Sequence, residues 1–146
     1  MADSPENEIV AGGEVDQVRV SLRIIGDDLD PDEVTRVLGV EPSAAIRKGE
    51  RRPGGRVQRT GVWRLSLPHS REWVLEDAIT TLLAALPSDL AVWQALGGKY
   101  RLDVFCGLFL DQWNRGADLS PAVLRELAER GLALGLDVYD PMGEDA

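Results

Sequence analysis

Chemistry needs reactive side chains, and this chain of 146 residues holds few. Its only histidine, His69, stands in "LPHSRE" between an expected strand and an expected helix. A general base there is conceivable, but an exposed turn residue is the commoner outcome. Its only cysteine, Cys106, falls on the apolar side of an alternating stretch. That position predicts a buried thiol with no adjacent cation to make it a nucleophile. These counts exclude histidine-cluster zinc sites, paired-cysteine sites and any intramolecular disulfide. No G-x-S-x-G, P-loop or dinucleotide fingerprint occurs, and "RPGGR" at 52–56 is short and precedes no helix. No catalytic residue, cofactor or metal is therefore expected.

The densest acidic run is "GDDLDP" at 26–31, where Asp28, Asp30 and Asp32 read D-x-D-x-D. A calcium loop would need glycine where Glu33 stands and a bidentate glutamate where Gly39 stands. The hexad returns as "GADLSP" at 116–121, keeping the leucine, the cap residue and the proline but, of these carboxylates, only Asp118. What the copies share is helix initiation. Asp30 and Ser120 are expected N-caps, followed by Pro31 and Pro121 at the first helical position. Leu29 with Val34, and Leu119 with Leu124, are spaced as hydrophobic staples. Glu33 is placed to close a capping box in the first copy, whereas the second has Val123 there.

Two sets of residues are suited to binding. Six of the sixteen basic residues, Arg47, Lys48, Arg51, Arg52, Arg56 and Arg59, fall between positions 47 and 59. They could cradle phosphate or nucleic acid, although no aromatic residue interleaves them and a solvated loop is the simpler reading. The second set follows from period-two alternation, which puts Arg19, Ser21 and Arg23 opposite the apolar residues of their strand. The same rule groups Arg101, Asp103, Phe105, Gly107 and Phe109, then Asp137 with Tyr139, and adds Arg64. A sheet face of arginine, aspartate and aromatics suits a ligand or partner. The alternative is a set of cross-strand ion pairs whose aromatics are covered by a loop or by Trp113.

The elements that must position these residues are legible from periodicity. Val18, Val20, Leu22 and Ile24 alternate with polar residues as a half-buried strand. "DEVTRVLG" is a short helix ending at Gly39, and 44–60 is a loop or loose hairpin around "PGG". "TGVWRLSL" is a second strand. Ser70 is placed to cap a helix carrying Trp73, Val74, Ile79, Leu82, Leu83 and Leu86, which Pro87 ends and Ser88 restarts. "YRLDVFCGLFLD" is the clearest strand, with Leu102, Val104, Cys106, Leu108 and Leu110 on one face. "PAVLRELAERG" is a capped helix, and "LGLDVYD" (134–140) is a last strand. The order implies an α+β fold: a single, mainly antiparallel sheet with helices on one face. If 44–50 forms a strand, the first six elements match a ferredoxin-like βαββαβ unit with an added helix and strand. A single domain over 15–140 is expected, between an acidic disordered tail (1–14) and a polar C-terminal tail (141–146).

Hydrophobic content of 44% and charged content of 28% fit a globular protein, and no signal or membrane segment is expected. A net charge of −9 disfavours nucleic acid and anionic membranes. Cytoplasm is the expected compartment. The stretches "VSLRIIGDDLDPDEVTRVLGVEPS", "GVWRLSL", "YRLDVFCGLFLD" and "LSPAVLRELAERGLALGLDVYD" resemble, in order, the bacterial family catalogued as domain of unknown function 4279. The resemblance implies no catalytic residues. The leading expectation is a non-catalytic interaction module with an unknown protein partner, of immunity or regulatory type. The alternatives are a small-anion-binding domain or undiscovered enzyme on the polar sheet face, with Arg19, Arg23 and Arg64 holding the anion and Asp103 or Asp137 as acid or base, and nucleic-acid contact through residues 47–59. Edge strands leave a homodimer open.

Overall fold

The computed structural model describes residues 15, 17–68, 74–111 and 115–139. His69, Ser70, Trp73, Trp113 and the two terminal tails of the sequence reading lie outside the described residues. The elements run β1 (Gln17–Gly26), α1 (Pro31–Leu38), β2 (Ala44–Ile46), β3 (Gly61–Ser66), α2 (Leu75–Ala84), α3 (Leu90–Gly97), β4 (Arg101–Phe109), α4 (Pro121–Glu129) and β5 (Ala133–Tyr139).

The strands form one sheet in the order β2-β3-β1-β4-β5. The first four are antiparallel neighbours, in the order of a ferredoxin-like βαββαβ unit. The added strand β5 pairs parallel to β4 and is reached through α4. The fold is thus α+β, with β1 at the centre of the sheet. Alternation on β1 buries Val18, Val20, Leu22 and Ile24, each at most 2% exposed. They join Trp63 of β3 and Leu102, Val104, Cys106 and Leu108 of β4 in one core. The helices close it with Val34 and Leu38, with Ile79, Leu82 and Leu83, with Trp93 and Leu96, and with Val123 and Leu127. Both buried indoles find acceptors: Trp63 Nε1 donates to Thr35 Oγ1 at 3.0 Å and Trp93 Nε1 to the Pro87 carbonyl at 2.8 Å.

Both hexads start helices, with corrections in detail. Asp30 accepts from the Asp32 amide at 3.1 Å and Ser120 Oγ from the Val123 amide at 3.3 Å. Glu33 does not reach back to Asp30. It accepts from the Tyr100 hydroxyl at 3.1 Å and from Lys99 Nζ at 3.3 Å. The glutamate is taken up by residues just before and at the entry of β4, and the box stays open. In the second copy the missing glutamate is replaced from another helix, because Glu76 of α2 accepts from the Ser120 amide. Leu29 and Val34 are both buried as a staple requires, but Leu124 is 47% exposed. The buried stripe of α4 runs through Val123 and Leu127, one helical row, and Leu124 lies outside it.

Two other helix starts also differ. The second helix begins at Leu75, later than expected, and its N-cap Val74 makes no side-chain cap bond. After Pro87 the chain restarts on Asp89, which accepts from the Ala91 amide at 3.0 Å, and not on Ser88. Aspartate one residue nearer the helix has the better cap geometry. Gly39 and Gly131 end their helices with φ of 74° and 70°.

Two predictions concern this core. A Cβ on Gly61 would stand 2.7 Å from Leu29 Cβ and 2.8 Å from the Gly26 carbonyl oxygen. Gly61→Ala therefore forces the first hexad off the sheet, and denaturant unfolding is expected to show a loss of about 1–3 kcal/mol. Burial, then the charge of Asp103, pushes the Cys106 thiol up to about 12. A maleimide or disulfide reagent is expected to leave the native thiol unmodified near neutral pH and to label it upon unfolding. Rapid native labelling would contradict that.

Candidate functional site

On the side of the sheet away from the helices, cross-strand register brings the predicted face together. Arg23 of β1 lies directly opposite Arg64 of β3 on one side and Asp103 of β4 on the other. Ser21 is likewise flanked by Ser66 and Phe105, and Arg19 faces Gly107. Across the next seam Gly107 aligns with Asp137, and Phe109 with Tyr139. Ser66 was not singled out in the sequence, although alternation from Arg64 on the same strand would have found it. Arg101 shares the face but lies opposite Ile25, beyond the cluster.

The interactions on this face fall into two groups. Arg23 grips Asp103 with both arms of its guanidinium, Nε to Oδ1 at 2.8 Å and Nη2 to Oδ2 at 2.6 Å. That hydrogen-bonded pairing raises the Arg23 pKa above its ordinary value, against the opposing effect of burial. The guanidinium also lies over the Phe105 ring, 4.3 Å from its centroid. Arg19 lies over Phe109 at 5.1 Å, and Phe109 stacks on Tyr139 with centroids 4.5 Å apart and planes 7° from parallel. The Tyr139 hydroxyl donates to Asp137 Oδ2 at 2.6 Å, which raises its pKa before burial adds a smaller effect. Aromatic faces thus hold two guanidinium groups in place.

Ser21 Oγ and Ser66 Oγ meet at 2.7 Å between these arginines. Above them opens a concavity of about 590 Å³, lined by Arg19, Arg23 and Arg64, by both serines, and by Phe105, Phe109 and Tyr139 around Gly107. A volume of this size suits a small ligand. Among the described residues Arg64 is exposed and carries no ion pair. Asp103 and Asp137 border the site with their carboxylates engaged by Arg23 and Tyr139.

The basic run is a loose hairpin beyond β2. Its arms are tied by Gly49 N to Gln58 O at 2.9 Å, Gln58 N to Glu50 O at 2.8 Å and Arg52 N to Arg56 O at 2.7 Å. Its root leans on the first hexad: Arg47 pairs with Asp30 at 3.1 Å and Asp32 at 3.4 Å, and Lys48 with Asp27 at 3.5 Å. Two of the three acids of the D-x-D-x-D run, Asp30 and Asp32, are therefore spent on the hairpin. Arg51 caps its own turn by donating to Gly55 O at 3.1 Å, whereas Arg52, Arg56 and Arg59 are exposed around another hollow of about 570 Å³.

Among the described residues no group of three or more His, Cys, Asp or Glu side chains is arranged to hold a metal ion, and no helix is long and apolar enough to cross a membrane. No curated protein and no solved structure matches the chain. Residues 16–141, which contain both the sheet face and the hairpin, match the family described as Domain of unknown function (DUF4279), and the chain belongs to that family.

Proposed function

We propose that the protein is a non-catalytic binding module that captures an anionic small ligand on the open face of its sheet. One observation carries this reading: Arg23 and Arg64 stand directly opposite each other on adjacent strands, and only Arg23 has a carboxylate partner. Like charges facing across a strand pair are destabilising unless an anion lies between them. The concavity in front of Arg64 supplies room for one. The two nearby carboxylates already accept hydrogen bonds and the one cysteine is buried facing the other way, which supports binding over catalysis. A pocket of this shape also favours a small ligand over the flat contact of a protein partner.

In a thermal-shift panel of inorganic and organic anions, a ligand at a hundred times its dissociation constant is expected to add about 2.7 kcal/mol of stability. Arg64→Ala is expected to cut that gain by about half, the effect of a roughly tenfold loss of affinity, while changing the ligand-free stability by no more than about 0.5 kcal/mol, as befits an exposed side chain. A panel in which no anion stabilises the wild-type protein would reject the reading.

A second reading, a protein-interaction module of regulatory or immunity type, is favoured by the hairpin. There Arg52, Arg56 and Arg59 project from a chain of net charge −9 with no ion pair among the described residues. Its partner would be an acidic protein. Charge reversal by Arg52→Glu with Arg56→Glu is expected to release, from nuclease-treated host extract, a protein that the wild type retains at low salt and loses at high salt. Retention that survives the reversal would place the contact elsewhere.

A further inference from the structure

Resting on the anion-binding reading, we infer that the ligand is a phosphate monoester, a compact dianion joined to an apolar or aromatic group. The charges on the face set the valence. Three guanidinium groups line the concavity, and Asp103 neutralises one of them, Arg23. Arg19 and Arg64 are left without a carboxylate partner among the described residues, and although Asp137 borders the site beyond the lining, the two guanidinium groups that line it match a ligand of two negative charges.

Register sets where those charges sit. Arg19 precedes Ser21 by two positions on β1, and Arg64 precedes Ser66 by two on β3. Because Ser21 and Ser66 are paired on antiparallel strands, the two arginines flank the hydroxyl pair from opposite sides. Each is roughly 7 Å from it along the strand, within the reach of an arginine side chain. A group centred over the hydroxyls meets a guanidinium on either hand. Of the two hydroxyl protons, one lies between the oxygens and the other is free to donate to the ligand. Tetrahedral phosphate oxygens accept from several directions at once and bind guanidinium in bidentate fashion. A planar carboxylate placed there reaches only one of the arginines well.

The organic part has its own place. Next to the hydroxyl pair on the β4 side lie Phe105 and Gly107, and beyond them the stacked Phe109 and Tyr139. A Cβ on Gly107 would stand 3.5 Å from ring atoms of both Phe109 and Tyr139, an ordinary contact, so alanine fits and a longer side chain would fill the floor beneath an aromatic or apolar substituent.

Calorimetry with phenyl phosphate, inorganic phosphate, sulfate and benzoate tests this. Phenyl phosphate is expected to bind at least about tenfold tighter than benzoate, the margin of one charge-assisted contact. Its affinity is expected to fall between about pH 7.5 and about pH 5, as the dianion takes up a proton near pH 6 and becomes a monoanion. Sulfate, a dianion throughout that range, is the control for titration of the protein's own groups, which on this face are Arg19 and Arg23 of β1, Arg64 of β3, Arg101 and Asp103 of β4, and Asp137 and Tyr139 of β5. Arg64→Gln and Arg19→Gln are each expected to weaken phenyl phosphate and inorganic phosphate by about tenfold. Gly107→Leu is expected to weaken phenyl phosphate by a similar factor and to spare inorganic phosphate, while Gly107→Ala spares both. Benzoate binding as tightly as phenyl phosphate, and in an Arg64-dependent manner, would overturn the phosphate monoester and leave the anion site standing. Absence of binding by all four probes would overturn both.

Discussion

Each side chain of β1 has two directions in which to point, and everything else in the structure depends on which residues take which. Because β1 is central and hydrogen-bonded on both edges, its register with β3 and β4 is set over six and nine residue pairs. A slip of one position would bring Arg19, Ser21 and Arg23 under the helices and expose Val18, Val20, Leu22 and Ile24. The burial of those four side chains therefore holds the three polar ones at their stations on the open face. The candidate site is a by-product of the core, assembled without a loop that must be ordered separately. Its geometry is correspondingly stiff, which suits recognition of a compact group.

The helices are attached by a second device. Each hexad is capped locally by its own Asp or Ser, but a distant residue braces the same turn: the Tyr100 hydroxyl, just before β4, donates to Glu33 of α1, and Glu76 of α2 accepts from the Ser120 amide of α4. A cap completed by a residue far along the chain makes the start of a helix conditional on tertiary structure. Helices of eight and nine residues are too short to persist alone, so this conditionality costs them little and fixes where they sit. The hexads recur because two short helices face the same need. What differs between them is the supplier of the last hydrogen bond.

The strands and the polar face were legible from alternation alone, since a period of two assigns side chains without knowledge of strand order. Strand order was less legible: the ferredoxin-like order of the first four strands hung on whether residues near 44 would pair, and Ala44–Ile46 do so with only three. Glu33 was misplaced because a capping box is a local rule, and the Tyr100 hydroxyl that intervened lies 67 positions away. Leu124 was misplaced because staple spacing says nothing about which helical row meets the sheet. Asp28, Asp30 and Asp32 were read as part of a helix start and not as a metal loop, but nothing in the sequence signalled that Arg47 would fold back on Asp30 and Asp32. Ser66 escaped notice for a simpler reason, having neither charge nor ring to draw attention.

The two basic regions show how an acidic chain can keep positive charge usable. At the hairpin root, Arg47 and Lys48 have acids within 3.5 Å, but all five partners are largely exposed, so these pairs steer the hairpin toward the hexad more than they stabilise it. On the sheet, Asp103 is 7% exposed and takes both arms of Arg23, a pair whose strength comes from geometry and partial desolvation. That pairing uses up the only buried acid on the face. Arg64, one strand over, sees a cation where a counterion would normally be, and the protein's net negative charge is too distant and too screened to replace it. The lining of the concavity therefore holds guanidinium groups and no acid, in opposition to the sign of the whole molecule. On the proposed reading, such a site holds an anion only at close range, where two guanidinium groups and a hydroxyl act together. Selection then rests on fit at the serine pair, because long-range attraction contributes little.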